Sequence, residues 1–165
     1  MVLRRAVLAD ADGLALLHMR SWQAGYRGIV ADDVLNGLRL VDFARRWNGR
    51  LSGAEPSTMT FLAEREGRLA GFCVAGPSTL GDEGPQTAEV YALYVEPDFY
   101  RQGTGRMLLA RAVVHLRDTG FSQAALWVLT ENRRGRLFYE ANGWKDSRRT
   151  NVLPIGEERR YVTVL

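Results

Sequence analysis

The hydrophobic and polar residues of this chain follow two periods. Short apolar runs bounded by polar or turn-forming residues predict seven strands, at residues 2–8, 58–64, 68–74, 87–95, 123–129, 144–149 and 159–165. Apolar residues three and four positions apart predict four helices, one after Asp10 and the others at residues 31–51, 105–120 and 132–143. The order β-α-α-β-β-β-α-β-α-β-β predicts an α/β fold with helices packed on a mixed sheet.

Turn and cap residues mark several of these boundaries. Asp10 is suited to cap the first helix, and Glu66 with Gly67 is a hairpin signal between two strands. Gly120 and Gly143 are suited to end the third and fourth helices. No repeat, low-complexity tract or long linker divides the sequence, so we expect a single domain over residues 1–165.

Composition is that of an ordinary globular protein, with 46% hydrophobic and 25% charged residues among 165. No apolar run approaches the roughly 20 residues that span a bilayer, so we expect no membrane segment. Residues 1–12 lack the apolar block of a signal peptide. The single cysteine, Cys73, cannot form an internal disulfide and is typical of a buried small hydrophobic residue. These features predict a cytoplasmic protein.

Positive charge is concentrated in the second part of the chain. Residues 1–95 carry 10 Lys and Arg against 11 Asp and Glu, whereas residues 96–165 carry 12 against 8. Nearly all the cations are arginine, whose planar fork binds phosphate oxygens; a genome rich in G and C is the alternative explanation. No basic run is interleaved with stacking aromatic residues, so we expect no nucleic-acid partner.

The excess of arginine includes a glycine loop. Strand residues 89–95 are followed by Pro97 and then by a loop that contains, in order, Tyr100, Arg101, Gln102, Gly103, Thr104, Gly105 and Arg106. The first turn of a helix has N–H groups without intrahelical partners and a positive dipole end. Glycines let a ligand approach the backbone closely, and Arg101 and Arg106 flank the same point. The loop therefore predicts a phosphate or pyrophosphate site.

The common nucleotide-binding motifs do not fit this loop. A Walker A loop has four residues between its glycines and then Gly-Lys-Ser/Thr, which the loop lacks. The dinucleotide fingerprint needs a third glycine three residues after Gly105, where Leu108 stands. Nucleotide hydrolysis would also need a lysine and acidic metal ligands near the loop, and the sequence supplies neither.

A second segment adds a more specific pattern. Residues 126–132 end at Asn132 and are followed by Phe138-Tyr139 and Gly143-Trp144. Together with the glycine loop, this segment resembles the GNAT superfamily of acetyl-CoA-dependent N-acetyltransferases, of the small single-domain bacterial type. That family has Gln/Arg-x-x-Gly-x-Gly/Ala in the loop, then Asn, about six residues and Phe/Leu-Tyr-x-x-x-Gly-Phe. Tyr100 departs from the first loop position, and Trp144 replaces the commoner Phe.

The resemblance implies a fold, a reaction and a cosubstrate. The expected fold is a mostly antiparallel sheet of about seven strands flanked by about four helices. Acetyl-CoA is the expected cosubstrate, and no metal is expected. The acetyl group would pass to a primary amine, of a small molecule or of a protein N-terminus, by direct attack in a ternary complex. Pantetheine would pair with backbone N–H groups at Leu93, Tyr94 and Val95, which polarise the thioester carbonyl. The pyrophosphate would lie on the N–H groups of residues 102–106, and Asn132, also suited to be a helix N-cap, would contact the coenzyme.

Two residues are candidates for proton transfer. The resemblance implies that Tyr139 is the general acid that protonates the departing thiolate. The alternative is that Tyr139 is an aromatic residue that packs beside Phe138. Glu89 is the candidate base, because a carboxylate near apolar side chains has a raised pKa, which suits a base acting directly or through water; a solvated strand end is the alternative. Strict alternation places Glu89 on the same face as Tyr91 and Leu93 before any bulge. Some family members carry this glutamate on the next strand, where Trp127 lies here.

The remaining candidates concern the acceptor. Trp22 and Tyr26 are candidates for an acceptor pocket, although aromatic residues at helical spacing are also typical of a core. His18 and His115 have no partner at metal-ligand spacing, which indicates structural roles. The loops at about residues 22–56 and 76–86 would determine the acceptor. A non-catalytic acyl-CoA sensor and a homodimer through sheet edges stay open as alternatives.

Overall fold

The computed structural model describes residues 1–53, 58–79, 84 and 86–165. Within these ranges the chain forms one seven-stranded sheet in the order β1-β2-β3-β4-β5-β7-β6. Its strands are β1 Val2–Arg5, β2 Met59–Arg65, β3 Arg68–Pro77, β4 Thr87–Val95, β5 Gln123–Leu129, β6 Lys145–Leu153 and β7 Gly156–Val164. All neighbours are antiparallel except β4 and β5, which run parallel. The predicted α/β fold with a mostly antiparallel sheet of about seven strands is confirmed.

Among the described residues, five α-helices flank the sheet, one more than the pattern predicts. They are α1 Ala11–Gly25, α2 Asp32–Asn36, α3 Leu40–Ser52, α4 Thr104–Asp118 and α5 Arg133–Ala141. The helix predicted over residues 31–51 is broken because Gly37 closes α2 and Arg39 takes an extended conformation. Apolar spacing continues across this break through Leu38, so periodicity alone could not detect it. No helix in the described part of the chain is long and apolar enough to span a membrane.

Asp10 occupies the predicted N-cap position of the first long helix, but the prediction that its side chain caps the helix is wrong. Its carboxylate accepts two hydrogen bonds from the Arg4 guanidinium, at 2.8 and 2.7 Å, and one from the Val7 N–H at 2.8 Å. It makes no capping hydrogen bond to α1. The Arg4 contact, followed by the Val7 hydrogen bond, holds the pKa of Asp10 below its ordinary value despite partial burial. Asp10 thus stabilises the 3₁₀ turn Leu8–Asp10, which is why β1 ends at Arg5 and not near residue 8.

The last hairpin is longer than the apolar pattern indicates. Its strands run to Leu153 and resume at Gly156, and these two residues face each other in the register. β6 is an edge strand with mostly exposed residues. An edge strand with little burial needs no alternation of apolar residues, so its length left no clear hydrophobic signal.

The sheet separates two main hydrophobic clusters. One cluster joins α4 to the sheet through Leu108, Ala112 and Leu116, with Phe138 and Tyr139 of α5 at its margin. The other joins α1 and α3 through Leu14, Phe43, Trp47 and Phe72. We call these the α4 face and the α1 face of the sheet. Cys73 is buried in the first cluster, as its sequence context predicts. Trp144 is also buried there, and Trp47 is buried in the second cluster.

Candidate active site

The site begins where β4 and β5 separate. Their parallel pairing consists of Thr87–Gln123, Ala88–Ala124 and Glu89–Ala125, and no later pair joins the two strands in the described ranges. β4 continues for six residues beyond Glu89 and β5 for four residues beyond Ala125. Because the strands diverge, residues 93–95 of β4 have no strand partner on the β5 side within the described part of the chain. This wedge, which we call the β4–β5 groove, offers backbone groups to a ligand.

A bulge in β4 decides which side chains face each side of the groove. Val74 pairs with Ala92 and Ala75 with Val90, so Tyr91 is the additional residue of β4. Ala88, Val90, Leu93 and Val95 accordingly pack on the α4 face. Tyr91, Ala92 and Tyr94 pack on the α1 face.

The position of Glu89 follows from this pattern. Alternation with Ala88 and Val90 places its carboxylate on the α1 face, next to the last β4–β5 pair. Glu89 therefore shares a face with Tyr91, as strict alternation predicts, whereas the bulge at Tyr91 moves Leu93 to the other face. Glu89 Oε2 accepts from the Thr79 hydroxyl at 3.3 Å and lies 3.4 Å from the Thr79 backbone nitrogen.

The glycine loop lies at the open end of the groove. Gly103 has φ +82°, a conformation that favours glycine, and its carbonyl accepts from the Met107 N–H as α4 begins. Arg101 also has a positive φ, +58°, and its side chain is exposed, as are those of Gln102 and Arg106. The predicted loop and the predicted start of the third helix thus coincide in the structure.

Thr104 adds a buried polar group to this loop. The residue is 1% exposed, and its Oγ1 has no hydrogen-bond partner in the described part of the chain. A buried hydroxyl without a partner is costly, and phosphate oxygens are acceptors that would satisfy it. The residues present therefore fit a diphosphate: N–H groups at the start of a 15-residue helix, with an unpaired hydroxyl among them.

Asn132 and Gly105 bring α5 to the same place. The Asn132 side chain accepts from the Gly135 N–H at 2.9 Å, which confirms its predicted role as a helix N-cap. A Cβ added to Gly135 would lie 2.8 Å from Asn132 Nδ2, so a larger residue there would displace the capping side chain. A Cβ added to Gly105 would meet the Phe138 ring at 3.4 Å and Val95 at 3.5 Å. The second loop glycine therefore packs closely against both β4 and α5.

Tyr139 lies beside the groove on the α4 face. Its ring belongs to an aromatic group with Phe138, Trp144 and Tyr161, at centroid distances of 5.2, 6.2 and 6.4 Å. Burial raises the pKa of Tyr139 well above its ordinary value, with smaller contributions from Cys73 and Tyr26. The phenol is therefore protonated near neutral pH.

A cluster of aromatic residues covers the groove from the α1 face. The Tyr26 and Tyr94 hydroxyls lie 3.1 Å apart, and the rings of Trp22 and Tyr26 are 5.0 Å apart. Burial raises the pKa of both tyrosines. The contact between their hydroxyls lowers the pKa of Tyr26 and raises that of Tyr94 by smaller amounts. Trp22 and His18 line a cavity of about 230 Å³ between α1 and α3. The two predicted acceptor-side residues thus lie together on this face, whereas residues 54–57, 80–83 and 85 of the predicted acceptor loops lie outside the described residues.

Two side chains at the groove were not predicted from the sequence. The Ser21 hydroxyl donates to the Val95 carbonyl at 3.3 Å, across 74 positions of sequence. The Arg134 guanidinium lies over the Tyr100 ring, 4.4 Å from its centroid. Neither contact could be predicted from neighbouring residues in the sequence, since Ser21 fits the apolar spacing of α1 and Arg134 is one of several arginines in α5.

The chain belongs to the acetyltransferase (GNAT) family, whose model matches residues 19–144. It is thus an acyltransferase by family, as the glycine loop and the segment around Asn132 and Tyr139 predict.

Two named proteins are similar to this chain in sequence. It is 36% identical over 140 residues to the uncharacterized N-acetyltransferase YuaI of Bacillus subtilis, covering 84% of this chain and 76% of that protein. It is 37% identical over 99 residues to the mycothiol acetyltransferase of Geodermatophilus obscurus. That match covers 58% of this chain but only 32% of the relative.

Solved structures of low sequence identity share the fold. The PaiA N-acetyltransferase of Thermoplasma acidophilum, in complex with coenzyme A, superposes with a TM-score of 0.83 at 18% identity, covering 99% of this chain and 98% of that one. The ribosomal-protein-alanine N-acetyltransferase of Brucella melitensis gives 0.75 at 19% identity, with both chains fully covered.

Proposed function

We propose that this protein transfers the acetyl group of acetyl-CoA to a primary amine by direct attack in a ternary complex. The observation that carries the proposal is the β4–β5 groove, which has the glycine loop at its open end and a protonated tyrosine beside it. The N-acetyltransferase names of relatives and the coenzyme A bound to PaiA support this reading.

The coenzyme would occupy the groove with its diphosphate at α4. N–H groups of residues 102–106 would bind the phosphate oxygens, and the unpaired Thr104 hydroxyl would donate to one of them. The pantetheine arm would follow β4, where residues 93–95 have no strand partner on the β5 side among the described residues. A backbone N–H there would polarise the thioester carbonyl, and Asn132 lies where α5 meets the groove.

The two proton-transfer candidates lie on opposite faces of the sheet. Glu89 is on the α1 face, with Trp22 and Tyr26, whereas Tyr139 is on the α4 face. The amine nitrogen would attack the thioester carbonyl from the α1 face and lose its proton to Glu89, directly or through water. The C–S bond would then break, and Tyr139 would protonate the departing sulfur. The base and the acid would thus approach the thioester from opposite sides of the groove.

The acceptor is proposed to be an amine with an apolar part. Trp22, Tyr26 and Tyr94 form an aromatic surface on the α1 face, next to the cavity of about 230 Å³. Such a surface binds apolar groups, and the tyrosine hydroxyls offer hydrogen bonds to a polar end.

The test is a screen of primary amines in which release of free coenzyme A thiol from acetyl-CoA is measured. We expect turnover with at least one amine, and a loss of about 10²- to 10⁴-fold in kcat for Glu89→Gln and for Tyr139→Phe, the usual range of general acid–base catalysis. Thr104→Val should weaken coenzyme A binding in calorimetry without lowering stability, because it removes a hydroxyl that is unpaired in the free protein.

Matched controls separate catalysis from packing. Tyr161→Phe removes a second tyrosine hydroxyl from the same aromatic group, one that donates to Glu140 at 2.8 Å, and should leave kcat nearly unchanged. Glu66→Gln changes an exposed glutamate in the β2–β3 turn and should have no effect. Coenzyme A binding without turnover of any amine would favour a non-catalytic acyl-CoA sensor. Unchanged turnover in both site variants would refute the catalytic assignment.

A further inference from the structure

Arg134 and Tyr100 connect the two sides of the β4–β5 groove. Tyr100 follows β4, and Arg134 follows β5 in the first turn of α5. The Arg134 guanidinium carbon lies 4.4 Å from the Tyr100 ring centroid, and its Nη2 is 3.4 Å from the Tyr100 hydroxyl. Since the strands diverge, this contact spans the groove at its open end, beside the glycine loop.

The end of α1 lies near Arg134 on a third side. A Cβ added to Gly25 would lie 3.5 Å from Arg134 Nη2, which shows how closely the backbone of α1 approaches. No carboxylate lies within 4 Å of Arg134 in the part of the chain that the structure describes. The cation is thus oriented by the Tyr100 ring, and no ion pair within the described ranges neutralises its charge.

This arrangement coincides with the departure from the family loop pattern. The first loop position, usually Gln or Arg, is Tyr100 here, so the loop lacks a polar amide or cationic side chain at that point. The structure supplies a guanidinium to the same position from α5. An arginine stacked on an aromatic ring loses less rotamer freedom when it binds, and its planar fork suits phosphate oxygens.

We infer that Arg134, oriented by the Tyr100 ring, binds the diphosphate of the coenzyme from the α5 side of the groove. The N–H groups of α4 would bind the same diphosphate from the other side. Tyr100 acts as a positioning residue, because its contribution passes through Arg134. This inference rests on the proposed function, since it assumes that a coenzyme occupies the groove.

The experiment compares three ligands by calorimetry: coenzyme A, 3′-dephospho-coenzyme A and pantetheine. Arg134→Ala should weaken coenzyme A binding about 10- to 100-fold, as expected for the loss of one or two hydrogen bonds to a charged group. The same loss should occur with dephospho-coenzyme A, which keeps the diphosphate. Pantetheine, which has no diphosphate, should bind the variant and the unmodified protein equally. Arg134→Lys should recover part of the affinity, because it restores charge without the fork.

Control variants test the role of the ring and of charge alone. Arg133→Ala removes the neighbouring exposed arginine, for which no ring contact is found in the described ranges, and should change affinity less than about 3-fold, a general charge effect. Tyr100→Ala should show part of the Arg134→Ala loss, and Tyr100→Phe, which keeps the ring but removes the hydroxyl contact, should show a smaller loss than Tyr100→Ala. In the double variant Tyr100→Ala with Arg134→Ala, the loss should not exceed that of Arg134→Ala alone.

The possible results separate this inference from the proposed function. If the folded, unmodified protein has no affinity for coenzyme A, the proposed function fails. If it binds coenzyme A and Arg134→Ala binds equally well, only the role of Arg134 is overturned. A loss confined to coenzyme A and absent with dephospho-coenzyme A would overturn the diphosphate assignment in favour of the 3′-phosphate. An equal loss with pantetheine, or with Arg133→Ala, would also contradict the inference.

Discussion

His18 lets the structure be tested through the pH dependence of stability. Its imidazole packs edge-on or tilted against five aromatic rings, at centroid distances of 4.8 to 6.5 Å, those of Trp22, Phe43, Trp47, Phe72 and Tyr94. Burial in this aromatic environment, with smaller contributions from Arg46 and Arg50, lowers the pKa of His18 to about 4. The side chain is therefore neutral in the folded protein at any pH well above 4.

The sign follows from comparing the folded and unfolded chains. In the unfolded chain histidine titrates near 6.5, so between about pH 6.5 and 4 the unfolded state binds a proton at His18 that the folded state does not. Acidification through this range therefore favours unfolding. From the two pKa values, the free energy of unfolding should fall by about 2 kcal/mol between pH 7.5 and pH 5 on account of His18 alone.

The assay is urea unfolding at several pH values, for the unmodified protein and for His18→Phe. Phenylalanine keeps a planar ring among the aromatic residues but cannot be protonated. We expect the unmodified protein to lose about 2 kcal/mol more than the variant between pH 7.5 and 5. His115, whose pKa is also lowered by burial, is present in both proteins, so its contribution cancels. Parallel pH profiles, or an NMR titration that places His18 near 6.5, would refute the reasoning.

Two further predictions concern the core on the α4 face. Gly71→Ala should destabilise the protein by about 2 kcal/mol or more, because the added Cβ would lie 2.7 Å from the Tyr94 carbonyl oxygen and 3.2 Å from Val95 Cα. The same variant should weaken coenzyme A binding, because Tyr94 and Val95 belong to the strand proposed to hold pantetheine. Gly49→Ala in α3, where an added Cβ meets no atom within 4 Å, is the matched control and should stabilise the protein by about 0.5 to 1 kcal/mol. Equal thermal midpoints for the two variants would contradict the close packing at Gly71. Cys73 is fully buried, which raises the pKa of its thiol to about 12, so a thiol reagent at pH 8 should label it only upon unfolding; rapid labelling of the native protein would contradict this.

Local patterns predicted most of the elements that position the site. The glycine loop, α4 and the cap at Asn132 were all predicted from residues close together in the sequence, and the structure forms them there. The errors arose where a distant residue changed the local preference. Arg4 pairs with the carboxylate expected to cap α1, and the bulge at Tyr91 moves Leu93 to the opposite face from Glu89.

The sequence by itself determined the fold class, the family and the segment proposed to bind the diphosphate, because periodicity, caps and glycine positions act over a few neighbouring residues. Only the tertiary structure decided that β4 and β5 diverge after Glu89, that Glu89 and Tyr139 lie on opposite faces, and that Arg134 meets Tyr100. These features depend on strand pairing and packing between residues tens of positions apart. A periodic pattern indicates which residues are buried, but it does not indicate which distant residue each of them contacts.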